Sequence, residues 1–240
     1  MSLLKAVIFG AIGVIAETSD FQRQAFNLAF REQDLDWDWN PEIYQRLLSI
    51  NGGQARLRAY RDEEPHRSNV TDAVIAVLHE RKTHHYATLI SEGTLMPRRG
   101  IAELIKTCQQ AGIRVALCTS TSVDNVDAIK AALGDQLDFG VFASITTIDK
   151  IDAVKPAPDA YLHCLAQLGF APHEVVAIED TPVSMASALA AGIAVIATPG
   201  AMTSDQDFSG ATMIVDDLAM LTLEQINAQL AQFDPETIAA

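Results

Sequence analysis

Hydroxyls, a cation and a pair of carboxylates recur where short apolar runs of this sequence end. Arg114-Val115-Ala116-Leu117-Cys118 leads into Thr119-Ser120-Thr121-Ser122, and Val175-Val176-Ala177-Ile178 leads into Glu179-Asp180. Between them lies Val154-Lys155-Pro156-Ala157-Pro158, a lysine set between prolines at a helix start. Hydroxyls and a lysine hold a phosphoryl group, and adjacent carboxylates hold a divalent cation such as Mg²⁺. Each piece has a plainer reading. Thr121 or Ser122 is better read as the cap of the next helix. Lys155 alone reads as a surface lysine, and Glu179-Asp180 as a solvated strand end before a helix. Their coincidence at adjacent strand ends is what favours a phosphate site.

The elements that must deliver these residues alternate. From about residue 100, helical IAELIKTCQQAG precedes the strand RVALCTS, helical SVDNVDAIKAALG precedes the strand FGVFAS, and helical APDAYLHCLAQLG precedes the strand VVAIED. The helix SMASALAAG, the strand AVIATPG and a short run MIVDD complete the series. Short Val/Ile/Ala-rich strands between helices of ten or so residues predict βαβ units and a parallel sheet. The N-terminal run Ala6 to Phe9 joins that sheet and ends in Gly10-Ala11-Ile12-Gly13, a turn with no reactive side chain. Residues 17–94 carry helical patterns (DFQRQAFNLAFREQ, PEIYQRLLSI, TDAVIAVLHERKTHHYATLI) and no clear strand, which predicts an inserted helical cap. The expected organisation is an α/β Rossmann-like parallel-sheet core formed by 1–16 and 95–240, with an all-helical cap domain from 17 to 94.

Composition narrows the partners. The 240 residues are 49% hydrophobic, enough for a full core. A formal net charge of -14 leaves no excess of cations for nucleic acid or an anionic membrane, while permitting a small phosphorylated ligand or a protein with basic patches. Cys108, Cys118 and Cys164 are odd in number and form no CxxC pair, which fits reduced thiols and a cytoplasmic protein. His79, His84 and His85 do not share one helix face as metal ligands would, and read as surface histidines. Trp37 and Trp39 read as cap core.

The stretches VALCTS, VKPAPDAY and VVAIEDTPVSMASALAAG resemble the second, third and fourth motifs of the haloacid dehalogenase (HAD) superfamily of phosphohydrolases. RQAFNLAF, LDWDWNPEIYQRLLSINGGQAR, MPRRGIAELI, AGIRVALCTSTSVDNV and ATPGAMTSDQDFSGATMIVDDL extend the resemblance to its CbbY-type, β-phosphoglucomutase-like subgroup of sugar-phosphate enzymes, over nearly the whole chain. The resemblance implies a HAD-like core with a helical cap after the first strand. It assigns phosphate binding to Thr119, Ser120 and Lys155, Mg²⁺ binding to Glu179 and Asp180, and cap or substrate contacts to Glu17 and Arg56.

The first motif departs from that pattern. In the family it resembles DxDG(T/V), whose first Asp attacks phosphorus and whose second is the acid/base. Those positions here are Gly10 and Ile12, so no catalytic pair is intact. Gln22 stands where the subgroup has a histidine, and Gln54 where it has a lysine. The resemblance therefore implies a pseudoenzyme with a residual phosphate-binding pocket and weak or lost Mg²⁺ binding. The alternatives are an active phosphohydrolase of small sugar phosphates with a displaced mechanism, and a non-catalytic interaction scaffold.

Overall fold

The computed structural model describes residues 3–234 apart from positions 11, 51 and 68, and leaves out the side chain of Ile12. Ala11 and the Ile12 side chain, assigned by sequence to the bare turn, lie outside the described residues. Six parallel strands form one sheet in the order β3-β2-β1-β4-β5-β6. They are β1 (Ala6–Gly10), β2 (Arg114–Cys118), β3 (Ser144–Thr146), β4 (Val175–Glu179), β5 (Ala194–Ala197) and β6 (Met213–Ile214). The strand order reverses around β1, so the crevice beyond its C-terminal end, flanked by β2 and β4, is where an open α/β sheet receives a ligand.

Alternate strand residues build two cores. Val7, Phe9, Val115, Leu117, Val176 and Ile178 face one side. Ala6, Ile8, Ala116, Cys118, Val175 and Ala177 face the other. This period of two, apolar on both faces, is the pattern of a strand covered by helices on both sides. The covering helices are α6 (Ile101–Gln110), α7 (Val123–Leu133), α8 (Asp159–Leu168), α9 (Pro182–Ala190) and α10 (Leu223–Gln232). Gly169, in the left-handed region, closes α8.

After β1 the chain makes a four-residue helical turn, α1 (Ile12–Ile15), and enters a run of helices: α2 (Ser19–Glu32), α3 (Pro41–Leu47), α4 (Gly53–Asp62) and α5 (Asp72–Glu92). α2 packs along α5. Phe26, Phe30, Trp37, Trp39, Tyr44 and Tyr60 form a separate aromatic core there, with Phe26 and Trp39 ring centroids 4.5 Å apart. Trp37 and Trp39 are thus interior to the helical block, as read from sequence. Ala16 pairs with Pro97 in an isolated antiparallel bridge where this block leaves and rejoins the sheet.

The third strand differs from its sequence reading. Phe139–Val141 is a 3₁₀ turn capped by Asp138, which accepts from Gly140 N at 2.7 Å, and the strand begins only at Ser144. The phenylalanines read as strand residues pack edge to face instead, Phe139 on Phe142 at 5.6 Å. α4 and α10 were not anticipated. No helix among the described residues is long and apolar enough to cross a membrane.

Candidate active site

One cavity of about 530 Å³ lies between the C-terminal strand ends and the helical block. Its core wall carries Gly13, Thr119, Ser120, Lys155, Glu179 and Asp180; its cap wall carries Gln22, Gln54, Arg56, Arg58, His79 and Lys82. The sequence-nominated residues of the second, third and fourth motifs are therefore brought together.

Thr119 ends β2: its N–H donates to Thr146 O at 3.0 Å, and its hydroxyl accepts from Thr121 N at 3.0 Å. Ser122 caps α7 by accepting from Asn125 N at 3.3 Å, the capping role read from sequence. Thr181 caps α9 in the same way. The N-termini of α7 and α9 thus both open on the cavity, and their unpaired N–H groups and dipoles favour an anion.

Lys155 is not a surface lysine; it is 3% exposed. Its ammonium donates to Cys118 O at 3.0 Å and to Glu179 Oε1 at 2.5 Å. The Tyr161 hydroxyl donates to the same Glu179 oxygen. Burial opposes the charge on Lys155 most strongly, but the charge and hydrogen bond of Glu179, with Cys118 and Asp180, together hold the lysine above its usual range. Burial and the Glu179 charge together push the Tyr161 hydroxyl well above the ordinary tyrosine range.

The bare turn explains where Glu179 sits. A Cβ on Gly10 would overlap Glu179 Oε2 and lie 2.7 Å from its carboxyl carbon. A Cβ on Gly13 would overlap the Asp180 carboxylate. Glu179 occupies volume that a side chain at 10 would need, while Gly13, the glycine that the DxDG pattern also has, leaves room for Asp180. Asp180 is pushed up to about 7 by burial first, then by the charges of Glu179 and Glu17. Glu17 itself turns to the adjacent loop: its Oε1 accepts from Ser19 N at 3.0 Å, and its other oxygen lies against Gly200.

Arg98, missed in the sequence reading, braces this region. Its guanidinium donates to Gly13 O at 2.9 Å, Thr198 O at 2.7 Å, Thr198 Oγ1 at 2.9 Å and Pro199 O at 3.1 Å. One side chain thereby ties the turn after β1 to the loop after β5.

The cap wall holds a second unanticipated residue. Lys82 is 4% exposed and donates to Gln22 Oε1. Its ammonium lies 4.9 Å from the Tyr86 ring centroid and 5.1 Å from that of Phe26. Such ring contacts contribute about 2 kcal/mol each when desolvated, too little to offset burial of a charge. Burial, then the charge of Arg56, brings the amine down to about 7. The signal was present in the sequence: Leu78, Lys82, Tyr86 and Ile90 recur every fourth residue, putting a lysine on the buried stripe of α5. His79, read as a surface histidine, also lines the cavity, and burial lowers its pKa. His84 is exposed, and His85 pairs with Glu32 at 2.9 Å. Arg56 spends its Nε on the carbonyls of Ile50 at 2.8 Å and Leu47 at 3.2 Å, while Gln54 accepts from Arg58 at 3.2 Å.

A family profile described as haloacid dehalogenase-like hydrolase matches residues 4–192. The chain belongs to this family. Protein CbbY of Rhodobacter capsulatus is 41% identical over 223 residues, 93% of this chain and 97% of that one. The crystal structure of CbbY from Rhodobacter sphaeroides in complex with phosphate superposes with a TM-score of 0.83 at 33% identity, covering 93% of this chain and 99% of that one. A mutant of that CbbY, in complex with xylulose-1,5-bisphosphate, gives the same TM-score at 34% identity, covering 92% and 98%. The chain is thus similar to CbbY proteins within the haloacid dehalogenase-like hydrolases, a family that generally uses Mg²⁺.

The residues present do not make the family's metal site. Gly10 offers no carboxylate, and Oε1 of Glu179, which would be a ligand, is engaged by Lys155 and Tyr161. Among the described residues no group of three His, Cys, Asp or Glu side chains stands close enough to share a metal ion.

Proposed function

We propose that this protein binds a small phosphorylated sugar between its core and cap and is impaired in phosphoryl transfer. The observation that carries the reading is the Glu179 carboxylate lying against Gly10, paired with Lys155. The lysine that would neutralise a transferring phosphoryl group is neutralised by protein, and the strand end that would present a nucleophile presents hydrogen. Without the first-motif carboxylate no side chain attacks phosphorus. Losing an acid/base as well costs roughly 10²–10⁴-fold.

Binding needs less than catalysis. Thr119 and Ser120, with the N-termini of α7 and α9, offer neutral donors and dipoles to one phosphate. Arg56 and Arg58 on the opposite wall offer positive charge to the other end of the ligand. Xylulose-1,5-bisphosphate, which a CbbY relative binds, has the right two-ended chemistry. Mg²⁺ binding is weak or lost in this reading.

Isothermal titration of xylulose-1,5-bisphosphate and of sugar monophosphates, with and without Mg²⁺, tests this. Saturable binding that does not require the metal, with no phosphate released, is expected. No heat at millimolar ligand would reject the binding role.

A further inference from the structure

The amine of Lys82 has no part in phosphate chemistry at the strand ends, yet it is buried and faces the cavity. We propose that Lys82 is a carbonyl-reactive amine, forming a reversible imine with an aldehyde or ketone group of a small anionic ligand held in the cavity. The proposal needs only the cap wall, so it stands apart from the fate of the phosphate pole.

Three structural features carry it. First, the amine is isolated: no carboxylate among the described residues pairs with it, and its neutral partner Gln22 releases it without leaving a charge behind. Second, its surroundings are neutral or cationic on every element packed there. Phe26 with Gln22 on α2, Arg56 on α4, and His79 with Tyr86 on α5 all face it. Such an environment favours the uncharged, nucleophilic amine, which is how desolvated lysines become Schiff-base formers. Burial lowers this amine to near neutrality, in keeping with that geometry. Third, a proton carrier is at hand. His79 lies one turn before Lys82 on α5, lines the same cavity and is close enough for the two charges to interact.

The chemistry balances without a further reagent. The Nζ lone pair attacks the carbonyl carbon, a C–N bond forms, and the carbonyl π pair moves to oxygen. That oxygen takes a proton through His79 while the nitrogen gives one up, leaving a carbinolamine. Protonation of its hydroxyl and loss of water give the imine, and hydrolysis reverses each step. The net change is amine plus carbonyl to imine plus water, with no oxidation. The ligand class follows: an open-chain aldose or ketose bearing phosphate.

The test uses the full chain with pyridoxal 5′-phosphate, a phosphorylated aldehyde, followed by borohydride reduction and peptide mass spectrometry at neutral pH. Lys82 is expected to carry the reduced adduct at least about tenfold above each of the exposed Lys5, Lys106, Lys130 and Lys150. Lys82→Arg, with folding checked by circular dichroism, should abolish that adduct and leave the surface labelling unchanged. Labelling of the exposed lysines with Lys82 unmodified would overturn the proposal, and this result is read on the wild-type chain. Adduct formation tests Lys82 alone, whereas phosphorylated sugars without a carbonyl test the phosphate reading.

Discussion

Lys155 and Glu179 form a buried ion pair, 2.5 Å from Nζ to Oε1, in which the carboxylate occupies the space a side chain on residue 10 would need. A lysine 3% exposed with no counter-charge would be very costly, so the pair is held in place whatever the chain now does.

That relationship makes a compensation experiment specific. Glu179→Ala strands the Lys155 charge and should destabilise the protein by about 3–5 kcal/mol in urea unfolding. Gly10→Asp alone should also destabilise, because its carboxylate overlaps and repels Glu179. Together they should be far better than additive, with a coupling of about 1–3 kcal/mol, since the new carboxylate replaces the old one opposite Lys155. Additive losses would show that the two positions do not share one space.

Lys82 sets a pH dependence with a definite sign. Its amine is near 7 when folded and 10.5 when unfolded, so between those values the unfolded chain binds more protons. Stability therefore rises with pH across that window, by at most about 1.4 kcal/mol per unit, and the penalty is full below 7. Lys82→Met removes it. The variant should be more stable than wild type at pH 7, with the difference shrinking toward pH 10. Working above pH 7 also keeps the lowered titration of His79 out of the comparison.

Arg98→Ala should cost about 3 kcal/mol in chemical denaturation, because four hydrogen bonds to the turn after β1 and the loop after β5 are lost together. Arg98→Lys keeps the charge but not the planar fork, and should recover only part of that loss.

Mg²⁺ should have little to bind. Adding millimolar MgCl₂, or removing divalent ions with EDTA, should move the melting temperature by no more than about 1 °C. The double variant Gly10→Asp/Ile12→Asp should show a clearly larger rise with Mg²⁺.

The sheet was legible because its strands are apolar on both faces and end in recognisable punctuation: hydroxyls after Cys118, carboxylates after Ile178. Phe139 and Phe142 misled because large apolar residues serve a packed turn as well as a strand. α4 was hidden by its composition, since it opens on glycine and buries only Leu57 and Tyr60. The converging residues were legible as types, but their pairing was not. Lys155 and Glu179 are 24 residues apart, and only the folded sheet shows that the lysine meets the protein's own carboxylate. Lys82 sits on an i, i+4 buried stripe, but lysines are so commonly solvated that the stripe alone does not mark it as buried.

The most direct measurement is steady-state phosphate release from xylulose-1,5-bisphosphate and sugar monophosphates with Mg²⁺ present, for the wild type and for Gly10→Asp/Ile12→Asp. The wild type should stay at the uncatalysed background while the double variant gains turnover. Wild-type turnover above background that disappears in Asp180→Ala would contradict the impaired reading, and would mean that the core wall performs the reaction without its first-motif carboxylates.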